Sequence, residues 1–173
     1  MNLQLSKLLI DTLKPSINEI NVNNYPIIDN YHCNLFKFGR EYILLITNDE
    51  TLYSFVITGL KLKDLGNFED LIRENIFKLL IHSGFSQNQY EKILLSMERF
   101  NYTKSSNKSV ISSMNNMKKL IEVCFDKDSY EINKKINDIP FKKNGFESSS
   151  KIFNELLEQD VSYWDYTLVY GYL

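Results

Sequence analysis

The sequence predicts one α+β domain in which an antiparallel β-meander packs against several α-helices, and three observations carry that reading. Three β-rich runs, 34–38, 41–47 and 51–58, are separated only by turn residues. From Phe68 onward, apolar residues recur at helical spacing in successive stretches. A length of 173 residues, with 43% hydrophobic and 24% charged residues, suits a single hydrophobic core. The domain is placed at residues 1–160, with 161–173 as an aromatic C-terminal strand or tail.

Taken in order, residues 1–5 alternate apolar and polar side chains as a short strand does. Ser6 is positioned to cap a brief helix through Leu13, stopped by Pro15. Residues 16–30 are rich in Asn and read as a loop. The meander follows, turned at Gly39-Arg40 and again at Asn48-Asp49-Glu50. Phe68, Leu71, Ile72, Ile76, Leu79 and Leu80 form one face of a helix that Gly84 ends. Ser86 with Gln89 is a capping box opening a second helix, with Tyr90, Ile93, Leu94 and Met97 as its stripe. Residues 99–104 read as a strand and 105–109 as a polar hinge. Val110, Met114, Met117, Ile121 and Cys124 then mark the buried face of a third long helix. Residues 126–144 look irregular. Ser148, Ser149 and Ser150 precede a short helix carrying Ile152, Phe153, Leu156 and Leu157.

Alanine is absent and arginine occurs only as Arg40, Arg73 and Arg99, while Asn, Ile and Lys abound. That bias marks an AT-rich coding sequence, as in a low-GC bacterium, its phages or its plasmids. A formal charge of −2 gives no global field for nucleic acid, although a local basic patch remains open. Cys33 and Cys124 match no metal or redox spacing, and no metal or cofactor is expected. No apolar run reaches the roughly 20 residues of a membrane span, so the expected compartment is the cytoplasm.

Candidate chemistry gathers at Lys104-Ser105-Ser106-Asn107-Lys108-Ser109, where a strand hands over to a helix N-terminus. Free N–H groups and the positive end of the helix dipole favour a phosphate or carboxylate there. The glycines of a true P-loop are missing, and the plainer alternative is that Ser106 or Asn107 caps the helix. His32, beside Cys33, is a candidate general base, although neighbours on a strand point to opposite faces. His82 falls at a helix C-terminus, where a cation is favourable in any case. Asp126, Asp128 and Glu131 lack the glycine of a calcium loop. In the tail, Tyr163, Trp164, Tyr166, Tyr170 and Tyr172 are candidate partner contacts; a strand there either meets a partner or closes the sheet beside residues 1–5.

Two stretches carry a family resemblance. One is Tyr31-His32-Cys33-Asn34-Leu35 running through Arg40 to the Thr47-Asn48 and Thr51-Leu52 turn; the other is Tyr102-Thr103-Lys104-Ser105-Ser106-Asn107-Lys108-Ser109-Val110-Ile111-Ser112-Ser113-Met114-Asn115-Asn116. Over roughly residues 1–140 the chain resembles the bacterial family catalogued as domain of unknown function 6933. Its members usually read Trp-x-x-Asn-Leu and later Thr-x-x-x-Arg-Ser-Val-Leu-Gly-Ser-Met-Asn-Asp. Tyr31 stands in place of Trp, Lys108 of Arg, Ser112 of Gly and Asn116 of Asp. The resemblance implies a fold and brings no activity with it.

Two functions follow as expectations. The first is a non-enzymatic interaction module, encoded on a phage or plasmid and acting on a host or defence protein, with a homodimer as a further possibility. The second is a small enzyme or binder acting on a phosphate-bearing ligand, a nucleotide or RNA, through Lys104, Ser106, Asn107, Lys108 and Ser109 with Arg40 and His32. Convergence of His32, Arg40 and Lys104 in one cleft would favour the second.

Overall fold

A computed structural model of the chain describes residues 1–124 and 128–158. Its centre is a five-stranded mixed sheet in the order β4-β3-β2-β1-β5. These strands are β1 (Asn2–Leu5), β2 (Asn30–Phe38), β3 (Glu41–Asn48), β4 (Ser54–Leu60) and β5 (Asn101–Lys104). The meander is antiparallel, whereas β1 runs parallel to both of its neighbours, β2 and β5. Gly39, at φ 59°, sits first in the two-residue loop between β2 and β3, where a type II′ turn calls for glycine. Both sides of β1 are occupied, by β2 and β5. Residues 161–173, with Tyr163, Trp164, Tyr166, Tyr170 and Tyr172, lie outside the described residues.

Helices cover both faces. On one face lie α1 (Lys7–Leu13), α2 (Phe68–His82), α3 (Gln87–Ser96) and α6 (Ser149–Glu158). They bury Leu9, Ile72, Ile76, Leu80, Ile93 and Phe153 against Leu3, Leu5, Cys33, Leu44, Ile46 and Phe55. On the other face α4 (Lys108–Val123) and α5 (Ser129–Asp138) bring Val110, Met114, Met117, Ile121, Ile132 and Ile136 onto Phe36, Ile43, Leu45 and Val56. The alternation of the strands sorts side chains between the two cores. Fully buried aromatics lock the first core, with Phe153 stacked on Tyr53 at 4.4 Å between ring centroids.

The elements depart from the sequence reading at several points. β2 begins at Asn30, because Asn30 and His32 are buried polar residues within the sheet. β4 begins at Ser54, because Asn48 Oδ1 accepts from the N–H groups of Glu50 and Thr51 and Leu52 takes φ 61°, extending the turn. Residues 126–144 are not all irregular: Asp128 accepts from Glu131 N at 2.9 Å and caps α5. α5 turns two asparagines inward, onto the outer backbone of the edge strand β4. Asn137 exchanges hydrogen bonds of 2.8 Å with Ser54 N and O, and Asn133 does the same with Val56 N and O.

Candidate functional site

The parallel strands β1 and β5 end side by side, and their chains leave in opposite directions. Ser6 leads into α1 on one face, while Ser105 leads towards α4 on the other. Such a divergence opens a crevice beyond the carboxyl ends of the strands, the usual place for a ligand in sheets of this kind. The ladder continues through it: Ser6 N donates to Cys33 O at 2.9 Å and Ser105 N to Leu5 O at 3.1 Å. A cavity of about 250 Å³ lies there, lined by Ser6, Lys7, His32, Cys33, Asn34, Ser105, Ile111 and Met114.

His32 comes to this cavity from a row of polar side chains crossing one face of the sheet. Thr103, Gln4, His32, Thr47 and Ser54 are successive register partners. The imidazole is fully buried, and its Nδ1 lies 2.6 Å from Asp49 Oδ1. A carboxylate only accepts hydrogen bonds, so Nδ1 carries the proton, and whenever the ring is neutral Nε2 is the nitrogen that presents a lone pair. Gln4 Nε2 donates to the second Asp49 oxygen and Asp49 N donates to Asn30 O at 3.0 Å, which fixes the carboxylate. Nε2 is buried without a hydrogen-bond partner, and so is the Oγ of Ser6. Ser6 occupies the N-cap position of α1, yet its hydroxyl makes no capping bond.

Of the residues singled out from sequence, His32 forms part of the cavity wall. Asn107 caps α4 through its side chain, accepting from Ser109 N at 3.0 Å and Val110 N at 3.4 Å. Lys104, Ser106, Lys108 and Ser109 are exposed beside the cleft and outside its lining. Arg40 is exposed in the β2–β3 hairpin, also outside the lining. His32 therefore shares the cleft with Ser105 but not with Arg40 or Lys104, so the convergence of His32, Arg40 and Lys104 expected of a phosphate-ligand site does not occur, and any such site has to rest on His32 and the other lining residues. Cys33 points into the opposite core, where burial pushes its thiol far above the ordinary range; it is no partner for His32. His82 is exposed at the end of α2. Among the described residues no cluster of His, Cys, Asp and Glu could hold a metal ion, and no helix is long and apolar enough to cross a membrane.

Three wall residues escaped the sequence reading as functional groups: Ser6, Lys7 and Asn34. Asp49 escaped it too, since a turn carboxylate reads as solvated; its pairing with His32 depends on the β2–β3 register. A larger cavity of about 320 Å³ lies between α1 and the start of α2. Its one ionisable wall group is Tyr102, whose hydroxyl is spent on Glu69 at 2.9 Å. The smaller cleft is lined by a histidine with an unpartnered ring nitrogen and is the better candidate.

Residues 2–152 match the model of a family described as Domain of unknown function (DUF6933). No curated protein and no solved structure matches the chain.

Proposed function

This chain belongs to the DUF6933 family, and we propose that it is a small enzyme acting on a phosphate-bearing ligand in the cleft between β1 and β5. The observation that carries the reading is the buried, unpartnered Nε2 of His32, a residue that Asp49 holds from behind and that lines a cavity of about 250 Å³. A base held in one tautomer and shielded from water is the arrangement proton transfer requires. Its surroundings suit an anion. Lys7 brings a cation, Ser6, Ser105 and Asn34 bring hydrogen-bond donors, and the positive end of α4 lies beyond Ser105. Ile111 and Met114 supply the apolar wall on which the uncharged part of a ligand rests.

In this reading the phosphate sits between Lys7 and Ser105, and His32 removes a proton from the attacking group and returns it to the leaving oxygen. A panel of nucleotides, sugar phosphates and short RNA tests it by thermal stabilisation and by release of product. A ligand present at a hundred times its Kd stabilises the fold by about 2.7 kcal/mol, well within the reach of a melting experiment. Stabilisation by phosphate esters and none by their dephosphorylated forms is expected. Equal response to both would remove phosphate from the account.

A further inference from the structure

We infer that Ser6 is the nucleophile of this site, activated by the His32–Asp49 pair; the inference rests on the reading of the cleft as a phosphate-ester site. Ser6 continues β1 in extended conformation, with φ −65° and ψ 158°. Its side chain therefore leaves the sheet on the same face as that of Gln4, two residues earlier. Gln4 is the register partner of His32, which makes Ser6 the diagonal neighbour of the imidazole, one pleat further along. Asp49 lies on the other side of the ring, where its N–H meets Asn30 O. The order along the sheet is thus Ser6, His32, Asp49, with Nδ1 directed to the carboxylate; Nε2 and the Ser6 hydroxyl make no hydrogen bond to each other in the ligand-free chain, and such catalytic bonds often tighten only once a substrate is bound.

The hydrogen-bond pattern gives the second argument. A serine at an N-cap ordinarily accepts from the second or third N–H of its helix. The Ser6 hydroxyl forgoes that bond and stays buried without a partner, as does His32 Nε2, and both residues line the same cavity. Buried polar atoms are rarely left unpaired, and two in one cavity mark a site made for a third participant.

The reaction is a displacement at phosphorus in two steps. Ser6 Oγ forms a bond to phosphorus while the bond from phosphorus to the leaving oxygen breaks; His32 Nε2 takes the hydroxyl proton and passes it to that oxygen. Water then attacks the phosphoseryl group with His32 again as base. The bond between phosphorus and Ser6 Oγ breaks, and the serine recovers its proton. No further reactant is needed.

The test is treatment of the full chain with diisopropyl fluorophosphate, followed by intact mass and peptide mapping. Attack by Ser6 expels fluoride and leaves one stable adduct. The expected result is a single adduct on Ser6, absent from Ser6→Ala and formed about a hundredfold or more slowly in His32→Gln. Asp49→Asn, at a more exposed position, provides the same comparison if the buried histidine variant fails to fold. A folded parent that gains no adduct, or gains it elsewhere, overturns the inference, as does labelling at the parental rate in folded His32→Gln or Asp49→Asn. Imidazole NMR with inorganic phosphate separates the two levels. A His32 response without Ser6 labelling overturns the nucleophile and leaves the phosphate site standing. Labelling without a phosphate response supports the nucleophile and turns the substrate class away from phosphate.

Discussion

Replacing Asn137 with alanine tests how the open edge of the sheet is closed. β4 is an outer strand, and its outward backbone groups at Ser54 and Val56 are satisfied by side chains rather than by another strand. The spacing permits this: four residues of helix advance about 6 Å and two residues of strand about 6.8 Å, so asparagines one turn apart meet alternate strand residues. Alanine at 137 strips Ser54 N and Ser54 O of their 2.8 Å partners. Ser54 is fully buried, and each backbone group left unpaired there costs about 1–3 kcal/mol. The expected loss is therefore about 2–6 kcal/mol, towards the lower end if water enters the gap. In a chain of this size each kcal/mol lowers Tm by about 2–4 °C, so urea and thermal denaturation both resolve it. Asn137→Asp adds a sign. Its carboxylate accepts from Ser54 N but repels Ser54 O, so at neutral pH it costs no less than alanine, and acid recovers part of the loss. An alanine variant within about 0.5 kcal/mol of the parent would refute the reasoning.

Other consequences are as direct. Asp29 is buried, and burial raises its carboxyl from 3.8 to about 6, against the opposing pull of the Met1 ammonium group. A raised folded-state pKa means that the folded chain holds the proton more tightly, so stability falls as pH rises from about 4 to about 6. The shift is worth about 3 kcal/mol, and Asp29→Asn should gain that much relative to the parent between pH 4 and pH 7 in urea titrations. A constant difference across that window would contradict it. Phe153→Ala, which empties a fully buried site against Tyr53, should cost about 3–5 kcal/mol in the same assay. Ser86→Ala removes the hydroxyl that accepts from Gln89 N in the capping box of α3 and should cost about 1 kcal/mol.

The elements that announced themselves in the sequence are those whose buried face is apolar. The stripe Val110, Met114, Met117 and Ile121 gives α4, and Ile72, Ile76 and Leu80 give α2. α5 was hidden because half of its inward face is Asn133 and Asn137, and polar residues facing inward cancel the periodicity on which helices are recognised. The start of β2 was hidden for the same reason, since Asn30 and His32 serve the sheet as buried polar residues while reading as loop chemistry. The three-layer arrangement also required β1 to lie between β2 and β5, a pairing across about a hundred residues that no local pattern encodes. At the site, His32 was visible as one of two histidines. Asp49 and Ser6 were not, because by position one reads as a turn carboxylate and the other as a helix cap; strand register brings Asp49 to His32, and the Ser6 hydroxyl, which makes no capping bond, is left buried.

The most direct test of the cleft is the imidazole NMR spectrum of the ¹⁵N-labelled chain titrated with inorganic phosphate. The account predicts that Nε2 of His32 shifts saturably, together with the amides of Ser6, Lys7 and Ser105, while exposed His82 stays still. A His32 resonance that does not move, or that moves only in step with His82, would contradict a phosphate site between β1 and β5.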